Sequence, residues 1–190
     1  MSESENLRGR FLIAANHLRD SNFYKTVVLL LEHNDDGAMG LVINRPMDVS
    51  VSSALSKHFD IPDCKHFLYC GGPVEPNALL ILHNSQAYDQ EHSPVVPGVY
   101  VGTSPDVFDK VVDAADDPDS TFSFQIFSGY SGWGAGQLES EIDRGDWFAL
   151  PAESSFFFRP EPYEIWEDTL EAFHKSHRIL PDQPDNPEWN

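Results

Sequence analysis

The sequence predicts a mixed α+β domain built on a strongly bent sheet, and three observations predict it. Aliphatic and β-branched runs come in adjacent groups as well as in strand–helix–strand units, and an alternating strand runs directly into a glycine-rich corner at residues 129–136. The length, 190 residues, suits one sizeable core and not two ordinary domains. Residues 1–178 are therefore expected to form a single domain, and 179–190 a proline-rich acidic tail too polar to pack.

The elements follow in order. "RFLIAAN" (10–16) and "YKTVVLLLEH" (24–33) read as strands, and "HNDDGA" supplies the turn into a third, "AMGLVINR", which Pro46 ends because proline has no N–H for a ladder. "SVSSALSKHF" reads as a short helix. "HFLYC" and "NALLILH" are strands separated by a bend at Gly71, Gly72 and Pro73, and residues 84–97 read as a long loop. "GVYVGTS" is a strand leading to a helix start: Ser104 caps, Pro105 takes the first position, and Phe108, Val111, Val112 and Ala115 share a face. "TFSFQIF" alternates as a strand. A final helix carries Tyr163, Trp166, Leu170 and Phe173 at helical spacing.

The stretch "GYSGWGAGQLESEID" (129–143) invites three chemical readings, and its spacing fails each. A nucleophile elbow needs glycine two residues after Ser131, where Trp133 stands. A phosphate-binding loop would end in Gly-Lys-Ser/Thr, and a dinucleotide fingerprint would need glycine at Gln137 or Glu139. Glu139 and Glu141 in the first turns of the following helix would repel a phosphate there. The expectation is architecture: Gly129, Gly132 and Gly136 let the strand end fold back while Trp133 buries against the sheet. Leu138 and Ile142 face the core, Arg144 pairs with Glu141, and Gly145 ends the helix.

Composition narrows the function. With 12 Lys and Arg against 31 Asp and Glu, the formal net charge of −19 opposes a polyanion, and no basic cluster marks a nucleic-acid footprint. Direct DNA binding is not expected. The longest apolar run is far too short to span a membrane and the N-terminus has no export signal, so the expected location is the cytoplasm. Cys64 and Cys70, even with His58 and His66, match no common zinc spacing; Cys70 reads as a small core residue, and neither a metal nor a cofactor is expected.

Four blocks resemble, in order, the bacterial AlgH/YqgE-like family: "FLIAANHLRDSNFYKTVVLLLEH", "GAMGLVINRP", "GGPV" with "LLILH", and "GYSGWGAGQLESEIDRGDW", together spanning about residues 10–150. The resemblance implies an α+β domain with a bifurcated sheet rolled into a pseudo-barrel and flanked by helices. It implies no catalytic residues or cofactor; the family carries a transcriptional-regulator label from one namesake linked to exopolysaccharide control. Asn16 and Ser21 depart from the family pattern where prolines are expected, which bears on the shape of loop 16–22.

The candidate ligand-binding residues are Asn44, Arg45, Gly71, Gly72, His83, Gln137 and Glu141. An amide and a guanidinium at a strand end suit a carboxylate or phosphate. The paired glycines offer backbone N–H groups beside them if the strands are neighbours, and Gln137 and Glu141 edge the same cleft in this reading. His33 and His83 end apolar strands, where an imidazole can do acid–base work or simply cap a turn. Three functions compete: a regulatory or adaptor domain acting through a protein or small-molecule partner, which is favoured; an enzyme of unrecognised type acting on a small anionic substrate; and a DNA-binding regulator, opposed by the charge. Oligomeric state is left open, since exposed sheet edges can pair between copies.

Overall fold

The computed structural model describes residues 6–56, 66–88, 93–104, 107–110 and 121–177. The tail 179–190, the helical positions Val111, Val112 and Ala115, and Cys64 and His58 lie outside them. The strands are β1 (Arg10–Ala14), β2 (Val27–Asn34), β3 (Gly37–Val42), β4 (Pro46–Ser50), β5 (Phe67–Cys70), β6 (Val74–His83), β7 (Tyr100–Gly102), β8 (Phe124–Gly134) and β9 (Trp147–Pro151). The helices are α1 (Val51–Leu55), α2 (Gln137–Asp143) and α3 (Ile165–Ser176), and residues 107–110 are also helical.

The nine strands among the described residues belong to one mixed sheet, ordered β4-β5-β8-β3-β2-β1-β9, with β6 pairing with both β8 and β7. Alternation along β1 and β2 explains their uninterrupted apolar sequence. Phe11, Ile13, Val27, Leu29 and Leu31 pack on one face, while Leu12, Ala14, Val28 and Leu30 pack on the other. A sheet covered on both faces needs no polar alternate. The first cluster also holds Leu80 and Leu82 of β6 and Trp166 of α3. Because β8 and β3 separate β6 from β2 along the hydrogen-bonded path, the sheet curls round this core. It does not close into a barrel: β4 and β9 end it.

The fork in the sheet lies within β8. Its first half runs parallel to β5, with Cys70 opposite Ser128, and antiparallel to β6, with Ile81 opposite Ile126. Its second half pairs with β3, from Gly40 opposite Ser131 to Gly37 opposite Gly134. Gly129, with φ 70°, makes the kink between the halves. Gly71 and Gly72 fill the wedge: the Gly71 N–H donates to the Ser128 carbonyl at 3.0 Å, and its own carbonyl accepts from the Val42 N–H at 2.9 Å and from Ser131 Oγ at 3.2 Å. A Cβ on Gly71 would press into the Gly129 carbonyl oxygen, and one on Gly72 into the Tyr130 peptide.

Several expectations change here. The glycine-rich segment is not a turn but the continuation of β8 as far as Gly134, and the chain reverses only at Ala135–Gly136 before α2. Pro46 does not end β3, which stops at Val42; it opens β4, an edge strand where its missing N–H costs no ladder bond. β9 was not foreseen; Trp147–Pro151 shows no clean alternation, because its pairing with β1 and the packing around it leave most of its residues half-buried. Arg144 pairs with Asp146 at 2.7 Å and not with Glu141. Tyr163 is 73% exposed, because it precedes α3 in a 3-10 turn (Pro162–Glu164) and so leaves the buried stripe.

Candidate functional site

The loop before β2 is held by two side chains from the short link between β3 and β4. Arg45 donates from Nη1 to the carbonyls of Ser21 (3.0 Å) and Asn22 (2.7 Å), and from Nη2 to that of Tyr24 (3.1 Å). Asn44, buried, accepts from the Val27 N–H and donates to the Lys25 carbonyl, both at 3.0 Å. These bonds give loop 16–25 a defined course without the two family prolines. They also hold Lys25 in the left-handed region, φ 54°, a conformation that costs a non-glycine residue on the order of 1 kcal/mol and is kept only where the surroundings enforce it.

That backbone sends the Lys25 ammonium across the Trp166 ring, 4.8 Å from its centroid, and to within 3.7 Å of the Glu167 carboxylate. Trp166 is itself fixed, its indole N–H donating to the Ala14 carbonyl at 2.8 Å. Tyr24, Lys25, Asn44, Arg45, Tyr163, Trp166 and Glu167 together enclose a cleft of about 280 Å³. Tyr24 and Tyr163 stand partly in solvent at its walls, 41% and 73% exposed. The three groups that Arg45 bonds are neutral carbonyls, so they hold its position without cancelling its charge. Lys25 and Glu167 form a solvent-exposed pair worth at most about 1 kcal/mol. The arrangement offers two cations beside aromatic surface, the chemistry that receives a carboxylate or phosphate carried on an apolar or aromatic body.

The other predicted residues go elsewhere. Gly71 adjoins Arg45, since the Cys70 N–H donates to the Arg45 carbonyl at 2.9 Å. Its own N–H is spent within the fork described above, so the glycines serve close backbone approach. Gln137 and Glu141 sit with two indoles. Glu141 Oε2 accepts from Trp133 Nε1 and Trp147 Nε1, each at 2.9 Å, and its Oε1 accepts from Gln137 Nε2 at 2.9 Å. Phe23, from the loop stapled by Arg45, stacks on Trp133 at 6.1 Å and meets Trp147 edge-on at 5.3 Å. Trp133 is only 6% exposed.

His83 is fully buried, accepts from the Ser85 N–H at 3.3 Å and lies against the Tyr100 ring. His33 accepts the Leu7 N–H at Nδ1 (3.1 Å) and therefore donates from Nε2 to Glu139 (2.9 Å). The Glu139 backbone N–H, helped by His33, holds that carboxyl below the usual glutamate range. A depressed folded value stabilises the protein above the unfolded value, so this contribution is complete above the ordinary glutamate range and is lost as the pH falls through the lower folded value. A carbon-detected NMR titration of the Glu139 carboxyl is expected to give a midpoint below that of free glutamate, returning toward it in His33→Phe.

A second cleft, of about 250 Å³, lies between Arg8, Met39, Leu80 and Val101, where Arg8 donates to the Pro94 and Ser93 carbonyls. Among the described residues no group of three or more His, Cys, Asp or Glu is placed to hold a metal ion, Cys70 is a free thiol, and no helix is long and apolar enough to cross a membrane. Of the residues singled out from sequence, Asn44 and Arg45 lie on the first cleft, together with Tyr24, Lys25, Tyr163, Trp166 and Glu167, which the sequence reading did not single out for binding. The available signal was the pair of aromatics three residues apart beside an acid at the start of the last helix.

Comparison with known proteins agrees with this architecture. The chain is similar to the UPF0301 proteins of Hahella chejuensis, 38% identical over 159 residues covering 83% of this chain and 84% of the relative, and of Thioalkalivibrio sulfidiphilus, 37% identical over 171 residues covering 88% and 89%. Its fold matches the solution structure of the AlgH protein from Pseudomonas aeruginosa with a TM-score of 0.70 at 35% identity, covering 92% of this chain and 90% of that one. It also matches the crystal structure of a Corynebacterium diphtheriae protein with a TM-score of 0.72 at 22% identity, covering 95% and 92%, a likeness of fold alone. A family model described as AlgH-like matches residues 11–178, and the chain belongs to the AlgH-like family.

Proposed function

We propose that the protein is a cytoplasmic regulatory or adaptor domain that acts by binding, in the Tyr24–Lys25–Arg45–Tyr163 cleft, a partner or small molecule presenting an anionic group on an aromatic or apolar body. The observation that carries this reading is the placement of Arg45 and Lys25: one guanidinium anchored only on carbonyls, and one ammonium laid over Trp166 by a left-handed backbone. In a chain of net charge −19, two cations held at a cleft mark a place where negative charge is received. Any regulatory effect on transcription would then run through the bound partner, since the same net charge opposes DNA. The alternative in which His33 or His83 does acid–base work beside Asn44 and Arg45 draws no support from the arrangement, because the histidines sit on other elements with other partners.

The test uses phenyl phosphate as a probe, titrated by calorimetry. Saturable binding is expected, weakened about tenfold in Lys25→Ala, the loss of one charge-assisted contact, and also weakened in Tyr163→Ala, whose exposed ring can be removed without opening the core. Absent binding, or equal affinity in all three proteins, overturns the proposal.

A further inference from the structure

We infer that the second cleft, beside Arg8 and Glu32, is a binding site for a free α-amino acid with an apolar side chain. The two clefts share no lining residue. Leu30 stands opposite Gly40 and Glu32 opposite Met39, so Leu31 is an extra residue in the ladder, a bulge. Neighbours on a regular strand point to opposite faces, and by that rule Glu32 would follow Val28 and Leu30 onto the face that carries Leu138 of α2. The bulge turns it. Leu31 and Glu32 line the same cleft, with Met39 across the ladder, and His33 takes the α2 side, bonded to Glu139 at 2.9 Å. A carboxylate is thereby delivered to a cleft whose apolar wall is Leu31, Met39, Leu80 and Val101.

Arg8 brings the opposite charge. The next residue, Gly9, donates its N–H to the Leu30 carbonyl at 2.9 Å and so sets Arg8 beside the bulge. The guanidinium donates to the Pro94 carbonyl at 3.3 Å and to the Ser93 carbonyl at 3.4 Å, and both acceptors are neutral. Among the described residues neither Arg8 nor Glu32 enters an ion pair, so one cleft keeps a cation and an anion that do not cancel each other. A ligand with a single charge meets one of them as a like charge. A zwitterion meets both as partners, its carboxylate on Arg8 and its ammonium on Glu32, each a charge-assisted contact. Its side chain then lies on the apolar wall, where Leu31 and Leu80 are buried but Met39 and Val101 are half-buried and gain from being covered. Met39, unbranched and polarizable, adapts to branched or straight side chains. The cleft measures about 250 Å³, the space of about eight waters at roughly 30 Å³ each, which suits one amino acid of leucine's size.

The experiment is two-dimensional methyl NMR of the full-length protein titrated with L-leucine. Parallel titrations use isocaproate, which is leucine without its ammonium, and leucinol, in which a hydroxymethyl group replaces the carboxylate. Saturable shifts led by the methyls of Met39, Leu80 and Val101 are expected with leucine, and both analogues are expected to bind at least about tenfold more weakly, the loss of one charge-assisted contact. Glu32→Gln, a change at an exposed position, is expected to weaken leucine about tenfold and bring it level with isocaproate. Absent leucine binding, equal affinity for leucine and isocaproate, or unchanged leucine affinity in Glu32→Gln overturns the assignment. Displacement of leucine by phenyl phosphate also overturns it, by placing the amino acid in the Tyr24–Tyr163 cleft.

Discussion

Replacing Gly72 with alanine is expected to leave the protein unable to hold its native sheet, with a loss of stability above about 4 kcal/mol, the range reserved for forced backbone displacement. Gly72 has φ 152° and its missing Cβ points into the Tyr130 peptide, so both local conformation and space refuse a side chain. Gly71→Ala is expected to do similar damage without a positive φ, because its Cβ meets the Gly129 carbonyl oxygen and Leu41 Cδ2. The mechanism is specific to the fork: either Cβ pushes β5 away from β8 and breaks the bonds that Gly71 makes to Ser128 and Val42. Gly132→Ala is the control. Its Cβ would have nothing nearer than Tyr130 Cε2 and Val74 Cγ2 at 3.8 Å, so a change within about 1 kcal/mol is expected. Denaturant unfolding of the three variants checks the contrast, which a general requirement for glycine in the segment would erase.

The second large effect is expected at Glu141. One carboxylate receives both tryptophan N–H groups and the Gln137 amide, so alanine strands two donors in a pocket closed by Phe23, Trp133 and Trp147. Charge-assisted hydrogen bonds contribute about 1.5–3 kcal/mol each, and unsatisfied buried donors carry a similar penalty. Glu141→Ala is therefore expected to cost about 3 kcal/mol, which at this chain length lowers Tm by roughly 6–12 °C. Glu141→Gln retains one acceptor oxygen and is expected to cost less than half of that. Thermal unfolding followed by tryptophan fluorescence measures both. An alanine variant as stable as the parent would show that the indoles find other acceptors.

The sheet was legible where side chains alone reveal pairing. The run Val27–Leu31 declares a strand buried on both faces, and Gly145 with Leu138 delimits α2. What escaped were features set by partners distant in sequence. β9 is defined by its ladder to β1, from Arg10 opposite Pro151 to Ala14 opposite Trp147, and no local pattern announces a partner so distant in sequence. Arg45 carried the chemistry of an anion site in its residue type, yet only coordinates show which carbonyls it holds. Lys25 reads as an ordinary strand residue, because its left-handed backbone is imposed by Asn44 and not by its neighbours. Tyr163 and Trp166 fit one helical stripe on paper; the 3-10 turn at Pro162 separates them, so that one lines the wall of the cleft and the other its floor.

The central claim is that this cleft, and not the histidine or tryptophan clusters, receives the partner. Two-dimensional NMR of the full-length protein during addition of phenyl phosphate tests it most directly. The account predicts saturable shifts led by the Trp166 indole, Lys25, Tyr24 and Tyr163. Shifts centred instead on His33 and Glu139, on Trp133 and Trp147, or on the cleft beside Arg8 would contradict it.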